Sequence, residues 1–380
     1  MSRKGNLRSF FLILFVFVFI TRGYTQSISA DTSSIIVTAD TTSITEPADT
    51  AGITEKFVTI GAVGDIMMGT AFPSEKYLPP GDNPRPLLEP VFNSLQESDI
   101  LFCNLEGPFS DSAKLAKNCR DTTRCYAFRV PERYVSVFDE AGFNLVSLAN
   151  NHIGDFGLEG RNRTCELFDS LGIYYAGPID FPYSIFEMDS LIYGFCAFSP
   201  NKGTLNITDI KGASKLVSML DDTCDIVIVS FHGGAEGSDY QNVTRETEFY
   251  YGENRGNIYE FAHAMIDSGA DLVLGHGPHV TRAIEVYKNR FIAYSLGNFF
   301  TYRRFNLSGP NGFSPIIKIK TNTFGKFVEA DIIPVYQDNT GRVLPDSNFR
   351  AVKKIKELIA ADFPDSEITI DDNGKVTYKY

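Results

Sequence analysis

The sequence has no surplus of positive charge. It contains 35 lysine and arginine residues against 47 aspartate and glutamate residues, which gives a formal net charge of -12 at pH 7. Proteins that bind nucleic acid or anionic membranes without specific contacts rely on a positive field, so this balance argues against both kinds of partner. An acidic substrate would therefore have to be held by local cations or by a metal ion.

The sequence also lacks a hydrophobic run long enough to cross a membrane comfortably. Its apolar segment 10–20 is shorter than the about 20 residues that a membrane-spanning helix needs. Basic residues precede this segment and Gly23-Tyr24-Thr25 follows it, so residues 1–25 are predicted to be a cleaved signal peptide. An uncleaved amino-terminal anchor is the alternative, and either one predicts export to the periplasm or the cell surface. No cysteine precedes Cys103, which excludes a lipid-modified amino-terminal cysteine.

Apolar residues are scarce in the segment 26–56, which is rich in Thr, Ser, Ala and Asp. Such a segment cannot bury enough apolar surface to offset its ordering entropy, so it is predicted to be a disordered spacer. The folded domain is predicted to span residues 57–305, and residues 306–380 are predicted to complete it with further strands and a helix.

Cysteine is also sparse, with six residues in the chain. Export would permit disulfides, although sequence alone does not fix the pairing. Cys119 and Cys125 bracket a polar loop and are the best candidates for a bridge. Cys103, Cys196 and Cys224 lie in or beside apolar strand-like runs, where a buried free thiol is the common outcome.

Five apolar, strand-like segments each run directly into a polar loop. Strands of this kind alternating with helical patterns predict an α/β fold, in which the carboxyl ends of parallel strands meet at one edge of the sheet. The loops contain four of the five histidines, which argues against chance placement. The fifth, His263, lies in a predicted helix over residues 258–268 and is interpreted as a packing or surface residue. The polar loop residues are Asp65, Asn104, Glu106, Asn150, Asn151, His152, Asp155, His232, His276 and His279.

Helical spacing of apolar residues predicts further helices over residues 84–97, 131–141 and 158–171. Beyond residue 314 the pattern predicts a hairpin, a helix over residues 349–360 and a last short hairpin. These elements form the predicted carboxyl-terminal α+β extension.

The loop residues suit a metal site with one or two divalent ions. Imidazole together with carboxylate oxygen suits manganese, iron or zinc. A carboxylate that bridges two metal positions is typical of two-metal hydrolases. His152 with Asp155 nearby has the composition of an oriented acid/base pair. Each loop also has a purely structural explanation, since Gly-Asp and Asn-Asn form turns and Asn104 with Glu106 could hydrogen-bond a neighbouring loop.

The polar insertion 108–130 carries five cations. An ordinary solvated surface is the simpler interpretation, and a supply of cations for an acidic substrate is the alternative. The five are Lys114, Lys117, Arg120, Arg124 and Arg129.

Taken together, the loop motifs resemble those of the bacterial poly-γ-glutamate capsule synthesis family, the CapA/PgsA-like proteins. The resemblance covers residues 57–300 in order. It rests on Gly64-Asp65-Ile-Met-Met-Gly69, Asn104-Leu-Glu-Gly107, Ala149-Asn-Asn-His152 with Asp155-x-Gly157, His232-Gly with Glu236, Gly269-Ala-Asp-x-Val-x-Gly-His-x-Pro-His279 and Tyr294-Ser-Leu-Gly-Asn-Phe299.

This resemblance implies a four-layer α/β/β/α sandwich, similar to that of calcineurin-like metallophosphoesterases. It implies that His152 protonates a leaving group and that Asp155 orients His152. It also implies an acidic partner such as poly-γ-glutamate and, as a further partner, a membrane-bound polymer synthase. The implied metal ligands are Asp65, Glu106, Asn151, His232, His276 and His279. The residues expected to contact substrate or support the ligands are Asn104, Asn150, Glu236 and Asn298.

The sequence departs from the phosphoesterase pattern at two places. Met67 stands where those enzymes usually carry a histidine, and His276 and His279 are three residues apart instead of two. Three functions therefore remain open: a metal-dependent hydrolase or transferase acting on an acidic amide-linked polymer, a non-catalytic accessory of capsule synthesis or export, and, by analogy of fold alone, a phosphoesterase.

Overall fold

The computed structural model describes residues 56–379 apart from residues 122 and 124. The predicted signal peptide and all but the last residue of the predicted spacer therefore lie outside the described residues. Within the described part of the chain, none of the helices has the length and hydrophobicity required to cross a membrane.

The described part of the chain contains 19 strands, seven α-helices and five short 3-10 helices. The strands are β1 (Phe57–Met67), β2 (Ile100–Leu105), β3 (Leu145–Ser147), β4 (Tyr174–Ala176), β5 (Tyr183–Met188), β6 (Leu191–Ser199), β7 (Leu205–Asn206), β8 (Ile226–His232), β9 (Phe249–Tyr250), β10 (Glu253–Asn254), β11 (Leu272–His276), β12 (Ile284–Tyr287), β13 (Arg290–Ala293), β14 (Asn298–Thr301), β15 (Phe313–Asn322), β16 (Phe327–Gln337), β17 (Val343–Pro345), β18 (Ile368–Ile370) and β19 (Lys375–Tyr378). The α-helices are α1 (Arg85–Leu88), α2 (Phe92–Leu95), α3 (Ser136–Ala141), α4 (Gly157–Leu171), α5 (Ile210–Asp221), α6 (Ile258–Asp267) and α7 (Arg350–Asp362), and short 3-10 helices cover Glu75–Tyr77, Pro80–Asp82, Glu89–Val91, Glu132–Val135 and Gly309–Gly312.

Two mixed sheets form the centre of the fold. The ten-stranded sheet has the order β18-β19-β16-β15-β1-β2-β3-β4, with β14 paired to β1 and β17 paired to β16. The seven-stranded sheet has the order β12-β13-β11-β8-β6-β5, with β7 paired to β6. In the middle of each sheet the strands are parallel, β1 with β2 and β8 with β11. Their carboxyl ends therefore meet at one edge, as the loop motifs predicted.

The two sheets bury one shared apolar core between them. Ile60 and Phe102 of the first sheet belong to the same buried cluster as Ile228 and Leu274 of the second. A second cluster joins the outer face of the first sheet to α3 and α4 through residues such as Phe138 and Phe168, and α5 and α6 cover the second sheet. The predicted four-layer α/β/β/α sandwich is confirmed.

The carboxyl-terminal elements extend the larger sheet. β15 pairs with β1 over Phe57 to Ala62, and β16 pairs with β15 along almost its whole length. The helix α7 packs on this extension through Val352 and Ile355, which are buried in the shared core. The predicted α+β extension is thus present as an outgrowth of the ten-stranded sheet.

The helix predicted over residues 84–97 is wrong as a single element. The chain instead forms α1, a 3-10 turn over Glu89–Val91, and α2. Pro90 explains the break, because proline donates no backbone hydrogen bond and its ring clashes with the preceding turn of an α-helix. The helix predicted from Pro131 likewise begins as a 3-10 turn before α3.

Candidate metal centre and cleft

The first loop of the site depends on a glycine at the end of β1. A Cβ on Gly64 would lie 1.8 Å from the Gly297 carbonyl oxygen, so only glycine fits there. The Asp65 amide donates to the same carbonyl at 2.9 Å, and Asp65 lies beside Asn104 of β2 and Asn298 of β14 in the sheet. The close packing of these strands places the fully buried Asp65 carboxylate at the centre of the edge.

Asn104 connects the two buried carboxylates of the site. Its side-chain amide donates to Asp65 Oδ1 at 2.8 Å and to Glu106 Oε1 at 2.8 Å. Its Oδ1 accepts from Asn150 Nδ2 at 3.0 Å, while Asn150 Oδ1 accepts from the backbone amide of His152 at 3.0 Å. Asn104 and Asn150 therefore orient the acidic residues and the histidine loop.

The second sheet delivers two neighbouring histidines. His232 ends β8, His276 ends β11, and the two are directly paired in register. A Cβ on Gly277 would lie 2.6 Å from the Gly233 carbonyl oxygen, and the Gly233 amide donates to the His276 carbonyl at 2.8 Å. The loops after the two strands are in backbone contact, which fixes the relative positions of both imidazoles.

His279 and His276 converge on Asp65 from the same loop. His279 Nδ1 lies 2.8 Å from Asp65 Oδ2, and His276 Nδ1 lies 3.2 Å from Asp65 Oδ1. His279 adopts a φ of 57°, a left-handed conformation that is costly for any residue with a side chain. Backbone strain of this kind clusters at functional sites.

One group of described residues has the geometry of a metal site. The ligand atoms of Glu106, His232 and His279 all lie within 4.8 Å of one another. Glu106 Oε1 and His232 Nε2 are 3.0 Å apart, but neither ring nitrogen of His232 has a hydrogen-bond partner. Glu106 Oε2 and His276 Nε2 are also buried without partners. Unpaired buried polar atoms are rare in folded proteins, and this donor set fits a divalent cation.

Burial and charge set the protonation of these groups. Burial raises the pKa of Asp65, but hydrogen bonds from His276 and His279 outweigh it and hold that pKa well below its usual range. Burial also raises the pKa of Glu106, but the neighbouring His232 outweighs this effect and lowers that pKa to about 2. Burial lowers the pKa of His232, whereas the Asp65 carboxylate overcomes burial and raises the pKa of His279 to about 9. The site therefore holds two carboxylates at neutral pH.

His152 and Asp155 form a second, connected unit. His152 Nδ1 lies 2.7 Å from Asp155 Oδ2, and the His152 ring lies 4.1 Å from that of Phe128. Asp155 also accepts from the Phe128 amide at 2.9 Å and pairs with Lys117 Nζ at 2.9 Å. Because the Asp155 backbone carbonyl accepts from two amides of the insertion, Asp155 fixes both His152 and the insertion 108–130.

A cleft of about 550 Å³ joins these units. Five predicted site residues line it: Asn151, His152, Glu236, His279 and Asn298. Asn151 Oδ1 and Asn298 Oδ1 are buried without hydrogen-bond partners, and Glu236 pairs with Arg255 at 2.8 Å. The structure thus places every predicted site residue in the cleft or in the network of buried side chains beneath it.

One of the five insertion cations lines the cleft, together with residues that the sequence did not single out. Among the insertion cations, Lys117 lines the cleft, whereas Lys114 and Arg120 are exposed. Arg129 donates to the Ala113 carbonyl, and Arg124 lies outside the described residues. No sequence signal marked the remaining lining residues, which come from several separate segments: Tyr126, Phe128, Gly237, Tyr250, Tyr251, Glu253, Arg255, Arg304, Phe305, Asn306 and Asn311. His263 lies elsewhere and pairs with Glu285 at 2.9 Å.

Similar proteins identify the family. Residues 59–303 match the family described as "Bacterial capsule synthesis protein PGA_cap". The capsule biosynthesis protein CapA of Bacillus anthracis is 29% identical over 261 residues, which cover 64% of this chain and 59% of that protein. The PGA biosynthesis protein CapA of Bacillus subtilis (strain 168) is 28% identical over 338 residues, covering 83% of this chain and 80% of that protein.

The chain therefore spans less than two thirds of the B. anthracis protein and four fifths of the B. subtilis protein. Among solved structures, a putative 5'-nucleotidase from Staphylococcus aureus matches with a TM-score of 0.43 and 15% identity over 83% of this chain and 60% of that one. Because the family model covers well over half of the sequence and includes all six motifs, this chain belongs to the bacterial capsule synthesis protein family.

Proposed function

We propose that this chain is an exported, metal-dependent hydrolase or transferase that acts on an acidic, amide-linked polymer such as poly-γ-glutamate. The supporting observation is the group of Glu106, His232 and His279, whose surroundings include buried ligand atoms without partners. Membership of a capsule synthesis family supports a capsule polymer as the substrate. Export to the periplasm or cell surface is part of this proposal.

Glu106, His232 and His279 would hold one divalent ion, with manganese, iron or zinc as candidates. Asp65 and His276 would complete this site or contribute to a second one, together with Asn151. When bound, such an ion polarises a carbonyl and lowers the pKa of a water molecule. Asn104 holds the Asp65 and Glu106 carboxylates in place through its two hydrogen bonds.

His152 is the residue positioned to move a proton. Asp155 accepts from Nδ1, which leaves Nε2 as the nitrogen that gives a proton to, or takes one from, a bound group. Lys117 pairs with the other Asp155 oxygen, so the carboxylate is held from two sides. The Phe128 ring restricts rotation of the imidazole. Together these contacts orient His152 toward a substrate amide in the cleft.

Alanine substitution of His152 and His232 tests this proposal. His152→Ala should keep its metal and lose turnover by about 10²- to 10⁴-fold, the usual contribution of general acid-base catalysis. His232→Ala should lose both metal and turnover, measured by elemental analysis and by the length of poly-γ-glutamate chains. His263→Ala is the matched control, because its partner Glu285 lies outside the cleft. Full activity in both His152→Ala and His232→Ala would contradict the proposed enzymatic function.

A non-catalytic accessory that binds the polymer or a membrane-bound synthase is the second candidate. One observation favours it: Met67 is buried, and its Sδ accepts from the Gly69 amide at 3.3 Å, so the first loop offers no nitrogen ligand at this position. Metal-loaded protein that binds poly-γ-glutamate without shortening or transferring it would support this role. A chromogenic phosphate ester assayed with manganese separates both candidates from a phosphoesterase.

A further inference from the structure

We propose that Arg255 and Arg304 recognise the free carboxylates of the substrate and so select an acidic polymer over its amidated form. This inference rests on the proposed function, because it takes the capsule polymer as the ligand of the cleft. A γ-linked glutamate chain keeps one free α-carboxylate on every residue, whereas amidation removes those charges and leaves the linkage unchanged.

Arg255 is a buried cation with an unused donor. It is 2% exposed, yet it lines the cleft. Its Nη2 donates to Glu236 at 2.8 Å and its Nη1 lies 3.4 Å from Glu253, but Nε has no hydrogen-bond partner. Guanidinium offers a planar fork of donors that matches the two oxygens of a carboxylate. Because Nε itself is buried, a substrate carboxylate would reach the guanidinium through Nη1, whose contact with Glu253 is long at 3.4 Å.

A second buried ion pair positions Arg255. Glu248 accepts two hydrogen bonds from Arg282 at 2.8 Å each, and its Oε2 also accepts from the Ala235 amide at 2.8 Å. The Arg255 amide donates to the Glu248 carbonyl at 2.8 Å. These contacts fix the backbone of Arg255, and the bond to Glu236 holds its guanidinium in place before a ligand arrives.

Arg304 is held by a different segment of the same cleft. Its guanidinium lies 4.8 Å from the Tyr77 ring centroid and 4.7 Å from that of Tyr126, and it donates to the Cys125 carbonyl. As in Arg255, Nε is buried without a partner. Both Arg303 and Arg304 have positive φ angles, 58° and 62°, a strained backbone that the surrounding contacts maintain.

The overall charge of the protein makes such local cations necessary for an acidic ligand. The chain carries a formal net charge of -12, and the centre beneath the cleft contains the carboxylates of Asp65 and Glu106. A polyanion would be repelled by this field unless cations stood along its path. Arg255, Arg304 and Lys117 are the arginine and lysine residues that line the cleft among the described residues, and they lie there beside His279, Glu236 and Glu253.

Equilibrium binding of two labelled oligomers tests the inference. One is a γ-linked glutamate oligomer and the other is the same oligomer with its α-carboxylates amidated; both are measured by fluorescence anisotropy on the full chain. The wild type should bind the acidic oligomer more tightly. Arg255→Gln and Arg304→Gln should each weaken that binding about tenfold or more and leave binding of the amidated oligomer within about twofold.

Two further variants control for charge and folding. Arg245→Gln also removes one positive charge, but Arg245 stacks on Tyr259 outside the cleft, so it should leave both affinities unchanged. Arg255→Lys keeps the charge without the fork and should lose an intermediate amount of affinity. Thermal unfolding and metal content are compared for every variant, and an unfolded Arg255→Gln leaves Arg255→Lys and Arg304→Gln to decide.

This experiment tests the inference separately from the proposed function, because it measures binding of the oligomers and not their turnover. Equal weakening toward both oligomers, or no weakening in either cleft variant, would overturn carboxylate recognition even if the wild type cleaves the polymer. Conversely, selective loss of acidic binding without any cleavage by the wild type would support the recognition and reject the enzyme.

Discussion

Asn104 illustrates how single residues make the buried charges of the site tolerable. Two carboxylates that are both fully buried would repel each other strongly without compensation. The Asn104 amide donates one hydrogen bond to each of them, and Asn150 in turn fixes which way that amide faces. The neutral Asn104 side chain thus holds Asp65 and Glu106 close together without adding a charge of its own.

Asn104→Asp is expected to destabilise the metal-free protein strongly. The change replaces the shared donor with a third buried carboxylate at hydrogen-bond distance from Asp65 and Glu106, which should lower the free energy of unfolding by about 3 kcal/mol or more. Urea unfolding in the presence of a chelator measures it. Asn144→Asp is the control, because Asn144 bonds only backbone groups at the other end of β2 and should cost about 1 kcal/mol. Equal losses in both variants would contradict this role for Asn104.

Residue roles were predictable where the chain itself brings the partners together. Asn104 lies near the end of β2 and Glu106 directly follows this strand, so the two side chains, two residues apart, point to the same side. His152 and Asp155 lie in one turn. Arg255 and Arg304 have no such signal, because each reaches the cleft only through tertiary packing. Sequence alone therefore predicts the ligands of the centre better than the residues that would contact a substrate.

At the scale of elements, the strand ends were predictable and the irregular segments were not. Every residue of β8 and β11 is buried, and such strands appear as continuous apolar runs in the sequence. The hairpin of β9 and β10 has no comparable pattern, since its four residues are half-buried or exposed. The sequence does not predict this hairpin, although Tyr250 of β9 and the adjacent Tyr251 line the cleft.

Gly277→Ala is expected to separate the two histidine loops. The added Cβ would lie 2.6 Å from the Gly233 carbonyl oxygen and 2.7 Å from its nitrogen, so the backbones must move apart and carry His232 away from His276. Gly142→Ala is the control, because Gly142 also has a positive φ, 87° against 112° for Gly277, but has open space around it. The control should cost about 1 kcal/mol of folding free energy, and Gly277→Ala should cost more and also lose metal. Unchanged metal content in Gly277→Ala would contradict the requirement for this contact.

At the scale of the whole molecule, the sandwich explains why residues more than two hundred positions apart form one site. Asp65 and His279 come from different sheets and are in contact because the carboxyl edges of both sheets meet. The alternation of strands and helices predicts each sheet edge separately. It does not fix how one sheet faces the other, and this information came from the family resemblance.

Asp271 is expected to make the free energy of unfolding depend on pH. It directly precedes β11, at the opposite end of this strand from His276. Burial raises the pKa of Asp271 to about 7 despite the hydrogen bond from the Val227 amide and the ion pair with Arg290. Since this exceeds the unfolded value of about 3.9, the folded state binds more protons between these pH values, and stability falls as pH rises through that window. Asp271→Asn keeps an acceptor for Val227 and removes the titration. As pH rises, the free energy of unfolding of the wild type should therefore fall by up to about 1.4 kcal/mol per pH unit relative to that of the variant. Urea unfolding at pH 5, 6 and 7 measures the difference, and parallel curves would contradict the prediction.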